Sequence, residues 1–76
     1  MTELDLRGLQ CPMTFVKTKV ALEALSDGQM LKILLDDILA SVDVPGNALR
    51  EGHEVLQTRE ISSGVWEVVI RKRERR

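Results

Sequence analysis

Cys11 is the only thiol in the sequence, and the stretch around it, LRGLQCPM from Leu6 to Met13, sets a glycine before it and a proline directly after it. Downstream comes MTFVKTKVALEAL, a run of good helix formers. Proline suits the first position of a helix because it needs no amide partner there. That places Pro12 at the helix start and Cys11 at the N-cap. The unpaired amides and the positive dipole end of a helix favour an anion beside them, so a thiol in that place ionises more readily than a free cysteine with its pKa of about 8.5. The chemistry this predicts is that of a nucleophilic thiolate at neutral pH. A lone cysteine can also be an inert, buried apolar side chain, but a residue reached through a turn at Gly8 and set at a helix end belongs near the surface. Arg7 stands close enough in sequence to add positive charge, or to be simply solvated as a strand-end arginine.

Other residues with chemical capacity have structural readings. Asp36 and Asp37 form an acidic pair, but without a third ligand type nearby their expected role is to cap the turn that follows. His53 is the only imidazole; at the start of a strand it is expected to make a turn or a structural hydrogen bond. One cysteine and one histidine do not make a closed zinc site. Neither a metal nor a cofactor is expected.

The elements that position Cys11 follow from periodicity. Leu4 and Leu6 alternate with Asp5 and Arg7, the pattern of a strand with one buried face, and Gly8 permits the turn. From Pro12 to about Leu25 a helix gathers Phe15, Thr18, Ala21, Leu22 and Leu25 on one face. A second line, Met13, Val16, Val20 and Ala24, is expected to widen the core contact, or else to form a docking stripe beside the thiol. Ser26, Asp27 and Gly28 stop this helix. Met30 to Leu35 then reads as a strand with Leu31, Ile33 and Leu35 inward, so the two strands should be parallel neighbours with the thiol at the carboxyl end of the first. Asp43, Val44 and Pro45 suggest the start of a second, shorter helix that packs through Val44, Ala48 and Leu49 and ends before Gly52. His53–Ile61 and Val65–Lys72 read as a hairpin turning at Ser62, Ser63 and Gly64, with Trp66, Val68 and Ile70 in the core and the other sheet face mostly wet.

Seventy-six residues allow a single domain, 1–76, with a modest core. The beginning of the chain lacks the basic start and apolar run of a secretory signal, no stretch is apolar enough to span a bilayer, and an unpaired cysteine fits a reducing compartment. A cytoplasmic protein without membrane insertion is the expectation. The net charge of −1 is unevenly spread: residues 1–70 carry six basic and eleven acidic groups, giving −5, whereas 71–76, RKRERR, carry five basic and one acidic, giving +4. That run is expected to be a flexible, solvated tail, with nucleic acid as the weaker alternative.

Taken in order, LDLRGLQCP, a helix, LLDD, DVP, GHEVL and a last strand ending in IRK resemble the TusA/SirA family of small sulfur-carrier proteins over nearly the whole chain. The resemblance implies a two-layer α+β sandwich in βαβαββ order, with two helices packed on one face of a four-stranded mixed sheet. It implies that Cys11 accepts sulfane sulfur as a persulfide from a donor protein, such as a cysteine desulfurase or a rhodanese-like protein, and relays it to an acceptor. Family routes include tRNA thiolation, molybdenum cofactor maturation and sulfur oxidation. Arg7, Gly8 and Pro12 belong to the matching motif. Thr14 stands where the family's cysteine-proline-x-proline motif usually has its second proline, and restores an amide that is expected to donate to the Cys11 sulfur. Two other classes remain open at this point: a regulatory or nucleic-acid-binding module that keeps the fold without sulfur transfer, and a thiol redox sensor needing a partner to resolve its oxidised cysteine.

Overall fold

Strand alternation and two glycine-bounded helical segments build the expected order. In a computed structural model describing residues 1–10 and 12–74, the elements are β1 (Thr2–Asp5), α1 (Met13–Glu23), β2 (Met30–Leu35), α2 (Ile38–Arg50), β3 (Glu54–Ser62) and β4 (Val65–Arg71). The sheet runs β1-β2-β4-β3. β1 and β2 are parallel, with Leu4 beside Ile33, and the other two pairings are antiparallel. One face carries Leu31, Ile33, Leu35, Val68 and Ile70, all inaccessible to solvent, and both helices close over it with Leu22, Ala40, Val44 and Ala48. This is the two-layer α+β sandwich that the family resemblance implies.

Several elements differ from their sequence reading. α1 starts at Met13 with Pro12 as its N-cap (φ −90°, ψ 2°), one residue later than expected, and ends at Glu23. Its buried line is Thr14, Thr18 and Leu22. The second apolar line stays outside the core: Met13, Val16 and Val20 are 46%, 44% and 61% exposed. Their side of α1 faces the outer edge of the sheet, where β1, only four residues long, has no further strand beyond it among the described residues.

α2 is longer than α1. It begins at Ile38, and Pro45 lies inside it instead of in its first turn. Asp37 is the N-cap, its Oδ1 accepting from the Leu39 amide at 3.1 Å, so the stronger start signal was the aspartate after β2. The helix ends in a Schellman arrangement: Gly52 (φ 92°) donates to the Leu49 carbonyl and His53 to the Ala48 carbonyl, both at 3.0 Å. Leu49, expected in the core, is exposed, as are Ile38, Leu39 and Val42.

Trp66 also shifts. It lies on the helix-facing side of β4 as expected, but opposite Leu35 at the end of the sheet, and is only half buried. The face away from the helices is not covered by any element among the described residues, yet Glu67 there is buried. Lys32 (3.4 Å), Arg59 (3.5 Å) and the Gln57 amide (2.9 Å) surround its carboxylate.

The basic run is not a free tail over residues 71–74. Arg71 ends β4; Lys72 exchanges backbone hydrogen bonds with Gln29 (2.7 Å) and Gly28 (2.8 Å), and the Glu74 amide donates to Asp27 (2.9 Å). Arg73 pairs with Glu54 at 2.6 Å and holds that carboxyl below the usual range. Its amide donates to His53 Nδ1 at 3.0 Å, the structural role expected of that imidazole. Arg75 and Arg76 lie outside the described residues.

Candidate functional site

Because β1 and β2 are parallel, the β1–α1 and β2–α2 connections leave the sheet at the same end, and both helices begin there. The result is an open depression lined by Gly8, Leu9, Gln10, Asp36, Asp37, Ile38 and Trp66. Gln10 and Pro12 bracket the cysteine in sequence; Cys11, the expected nucleophile, lies outside the described residues.

The loop ahead of the cysteine is held by β2. After Leu6, buried and donating to the Leu34 carbonyl at 2.9 Å, the chain turns through Gly8 at φ 86°, a left-handed conformation natural to glycine. The Gly8 amide then donates to both carboxylate oxygens of Asp36, at 2.9 and 3.0 Å. The acidic pair therefore divides its labour. Asp37 caps α2, and Asp36 ties the β1–α1 loop to the start of the β2–α2 connection.

Arg7 does not supply a free cation. Its guanidinium grips Asp5 through two hydrogen bonds, at 2.9 and 2.8 Å, and its side chain is half exposed. Those hydrogen bonds hold the Asp5 carboxyl down to about 2.

Thr14 is fully buried on α1, its carbonyl accepting from the Thr18 hydroxyl at 2.8 Å. Its amide is directed at the Gln10 carbonyl at 3.4 Å, and Met13 donates to the same oxygen at 2.9 Å. Gln10 thus performs part of the capping expected of the next residue. The expected bond from the Thr14 amide to the Cys11 sulfur falls outside the described residues.

The structure places Gly8 in the lining of the depression, leaves Pro12 exposed as the N-cap of α1, buries Thr14 within α1 and commits Arg7 to Asp5. Two contributors were missed in the sequence. Asp36 acts across 28 positions of the chain, and its signal was indirect: parallel neighbours must bring their exit loops together. Trp66 had been assigned to the core, though its place at the start of β4 set it against the end of β2. Among the described residues no cluster of three His, Cys, Asp or Glu could hold a metal ion, and no helix is long and apolar enough to cross a membrane.

Comparison with known proteins agrees with this architecture. A chain from Archaeoglobus fulgidus is 40% identical over 70 residues, covering 92% of this chain and 80% of that one. The sulfur carrier protein TusA of Allochromatium vinosum is 33% identical over 70 residues, 92% of this chain and 91% of its own length. The crystal structure of a SirA-like protein from Desulfitobacterium hafniense superposes with a TM-score of 0.84 at 28% identity, covering 97% of this chain and all of that one. The family model described as Sulfurtransferase TusA matches residues 2–72, from the first residue of β1 to the residue after β4, and the chain belongs to the TusA family.

Proposed function

We propose that the chain is a sulfur carrier that holds sulfane sulfur as a persulfide on Cys11 and passes it between partner proteins in the cytoplasm. The observation that carries this reading is the convergence of both helix N-termini on the Gly8–Gln10 loop, with the sequence's lone cysteine next in line. The naming of the Allochromatium vinosum relative as a sulfur carrier supports it.

The step needs little from the carrier. A Cys11 thiolate attacks the outer sulfur of a donor persulfide; the donor's S–S bond breaks, its cysteine leaves as a thiolate, and a new S–S bond forms on Cys11. An acceptor thiolate attacks the same outer sulfur in turn and releases the Cys11 thiolate. Sulfur is transferred with no net oxidant or reductant. Positive helix ends favour the anionic forms of the thiol and persulfide, and the open depression leaves room for a partner's cysteine. The donor is a cysteine desulfurase or a rhodanese-like protein. Acceptors belong to sulfur-using routes such as tRNA thiolation, molybdenum cofactor maturation or sulfur oxidation.

Incubation with a cysteine desulfurase and free cysteine, followed by intact-mass measurement without reductant, tests the reading. The expected result is a gain of one sulfur atom that Cys11→Ser abolishes and a thiol acceptor removes. Failure of the wild-type chain to gain sulfur from desulfurase and rhodanese donors alike overturns it.

A further inference from the structure

β1 is the edge of the sheet among the described residues, and no element covers that edge. The Leu6 amide donates to the Leu34 carbonyl. With the two-residue period of parallel pairing, this directs the backbone groups of Leu4 toward β2 and leaves those of Glu3 and Asp5 on the outer side. Along the same edge runs a groove lined by Leu4, Met13, Val16, Lys17, Val20 and Ala21. A row of unpaired strand groups beside an apolar groove is the geometry by which extended peptides add to a sheet.

We propose that this edge binds an extended segment of a partner protein as a fifth strand, with apolar residues facing α1 and basic residues facing the open side of the sheet. The charges fix that phase. Glu3, exposed and in no ion pair among the described residues, lies on the open side, next to Lys32 of β2; Asp5, on the same side, is already matched by Arg7. On the groove side Lys17 repels a basic residue, while its carbon stem extends the apolar wall. A second copy of the chain is the poorer occupant. The antiparallel pairings of two β1 strands that overlap over most of their length and keep the helices on a common side set Glu3 against Glu3 or Asp5 of the other copy, and like charges directly opposite are unfavourable. The groove includes Met13, two residues beyond Cys11 in sequence.

The full chain, labelled with nitrogen-15, can be titrated with a six-residue peptide of alternating lysine and valine. The expected outcome is amide shifts confined to residues 2–6 and 13–21, with slowed hydrogen exchange at Glu3 and Asp5. The glutamate-valine counterpart should bind at least about fivefold more weakly, and a lysine-valine peptide N-methylated on its pairing edge should not bind. Val20→Asp, at an exposed position, should keep the fold and lose the peptide. Shifts centred elsewhere, equal binding of the two charge types, or no binding at millimolar peptide would overturn the proposal. So would sedimentation showing a dimer of the free chain that Val20→Asp dissociates.

Discussion

Asp36 spends both carboxylate oxygens on one backbone amide, that of Gly8, and so fixes the loop that leads to Cys11 from the neighbouring strand. Asp36→Ala leaves that exposed amide to water. The expected loss of stability is about 1 kcal/mol, the scale of one hydrogen bond to a charged acceptor partly replaced by solvent. Asp36→Asn, which keeps one acceptor, should lose less. Urea unfolding measures the difference, and faster hydrogen exchange at Gly8 in the alanine variant places it in the loop. Gly8 itself presents a separate case. A Cβ there would meet nothing within 4 Å, but its φ of 86° is one that L side chains resist. Gly8→Ala should therefore destabilise by roughly 1–2 kcal/mol through the backbone alone. At Asp5, the Arg7 hydrogen bonds lower the carboxyl to about 2. A carboxyl lowered by folding contributes stability present above its unfolded value and lost as pH falls toward the folded one. The pair is exposed, so its effect is small, but NMR titration should find Asp5 near 2 in the wild type and closer to its usual 3.8 in Arg7→Gln.

At the scale of elements, α2 is the helix whose sequence argues most against it, with Pro45 and Gly46 adjacent in its interior. Gly46 has an ordinary helical φ, and a Cβ there meets nothing within 4 Å. Gly46→Ala should raise stability by about 1 kcal/mol, the difference in helix propensity, and a higher urea midpoint with unchanged slope would verify it. The same substitution is thus expected to act with opposite sign at positions 8 and 46. Most of the fold was legible because its periods are clean: Leu31, Ile33 and Leu35 alternate inward, and Ser63–Gly64 turns the hairpin. What local pattern obscured was whatever tertiary packing decided. Pro45 read as a helix start because proline favours that place, yet the Asp37 cap and the buried line of Ala40, Val44 and Ala48 carry α2 through it. Met13, Val16 and Val20 read as core because they are apolar at helical spacing; only the assembled fold shows that α1 turns them toward β1, the edge of the sheet among the described residues. The Asp36–Gly8 link was legible only indirectly for the same reason, since nothing local announces a contact set by two strands lying side by side.

At the scale of the whole molecule, the two ends of the sheet do different work. One end, where Leu35 meets Trp66, carries the Gly8–Gln10 loop; the other, where Met30 meets Arg71, is closed by residues 72–74. There the Arg73 amide donates to His53 Nδ1, an acceptor only while that nitrogen is unprotonated. Burial, and then the nearby Lys72 cation, lower the His53 pKa below 6.5, with Glu51 opposing. Between the folded value and 6.5 the unfolded chain therefore binds more protons than the folded one. The contribution to stability is fully present above pH 6.5 and is lost as pH falls through that window. Glu54, whose carboxyl is held below 4.5 by Arg73, begins to lose its contribution only at lower pH, so the two effects separate. Urea midpoints measured from pH 7.5 to 5 should decline in the wild type and run flatter in His53→Gln, which offers an uncharged side chain that does not titrate. Sulfur loading on Cys11 should be the same in both at pH 7.5, because the substitution lies at the far end of the sheet. Identical pH slopes would show that the imidazole does not couple the closing segment to the fold, and altered loading would show that the two ends are not independent.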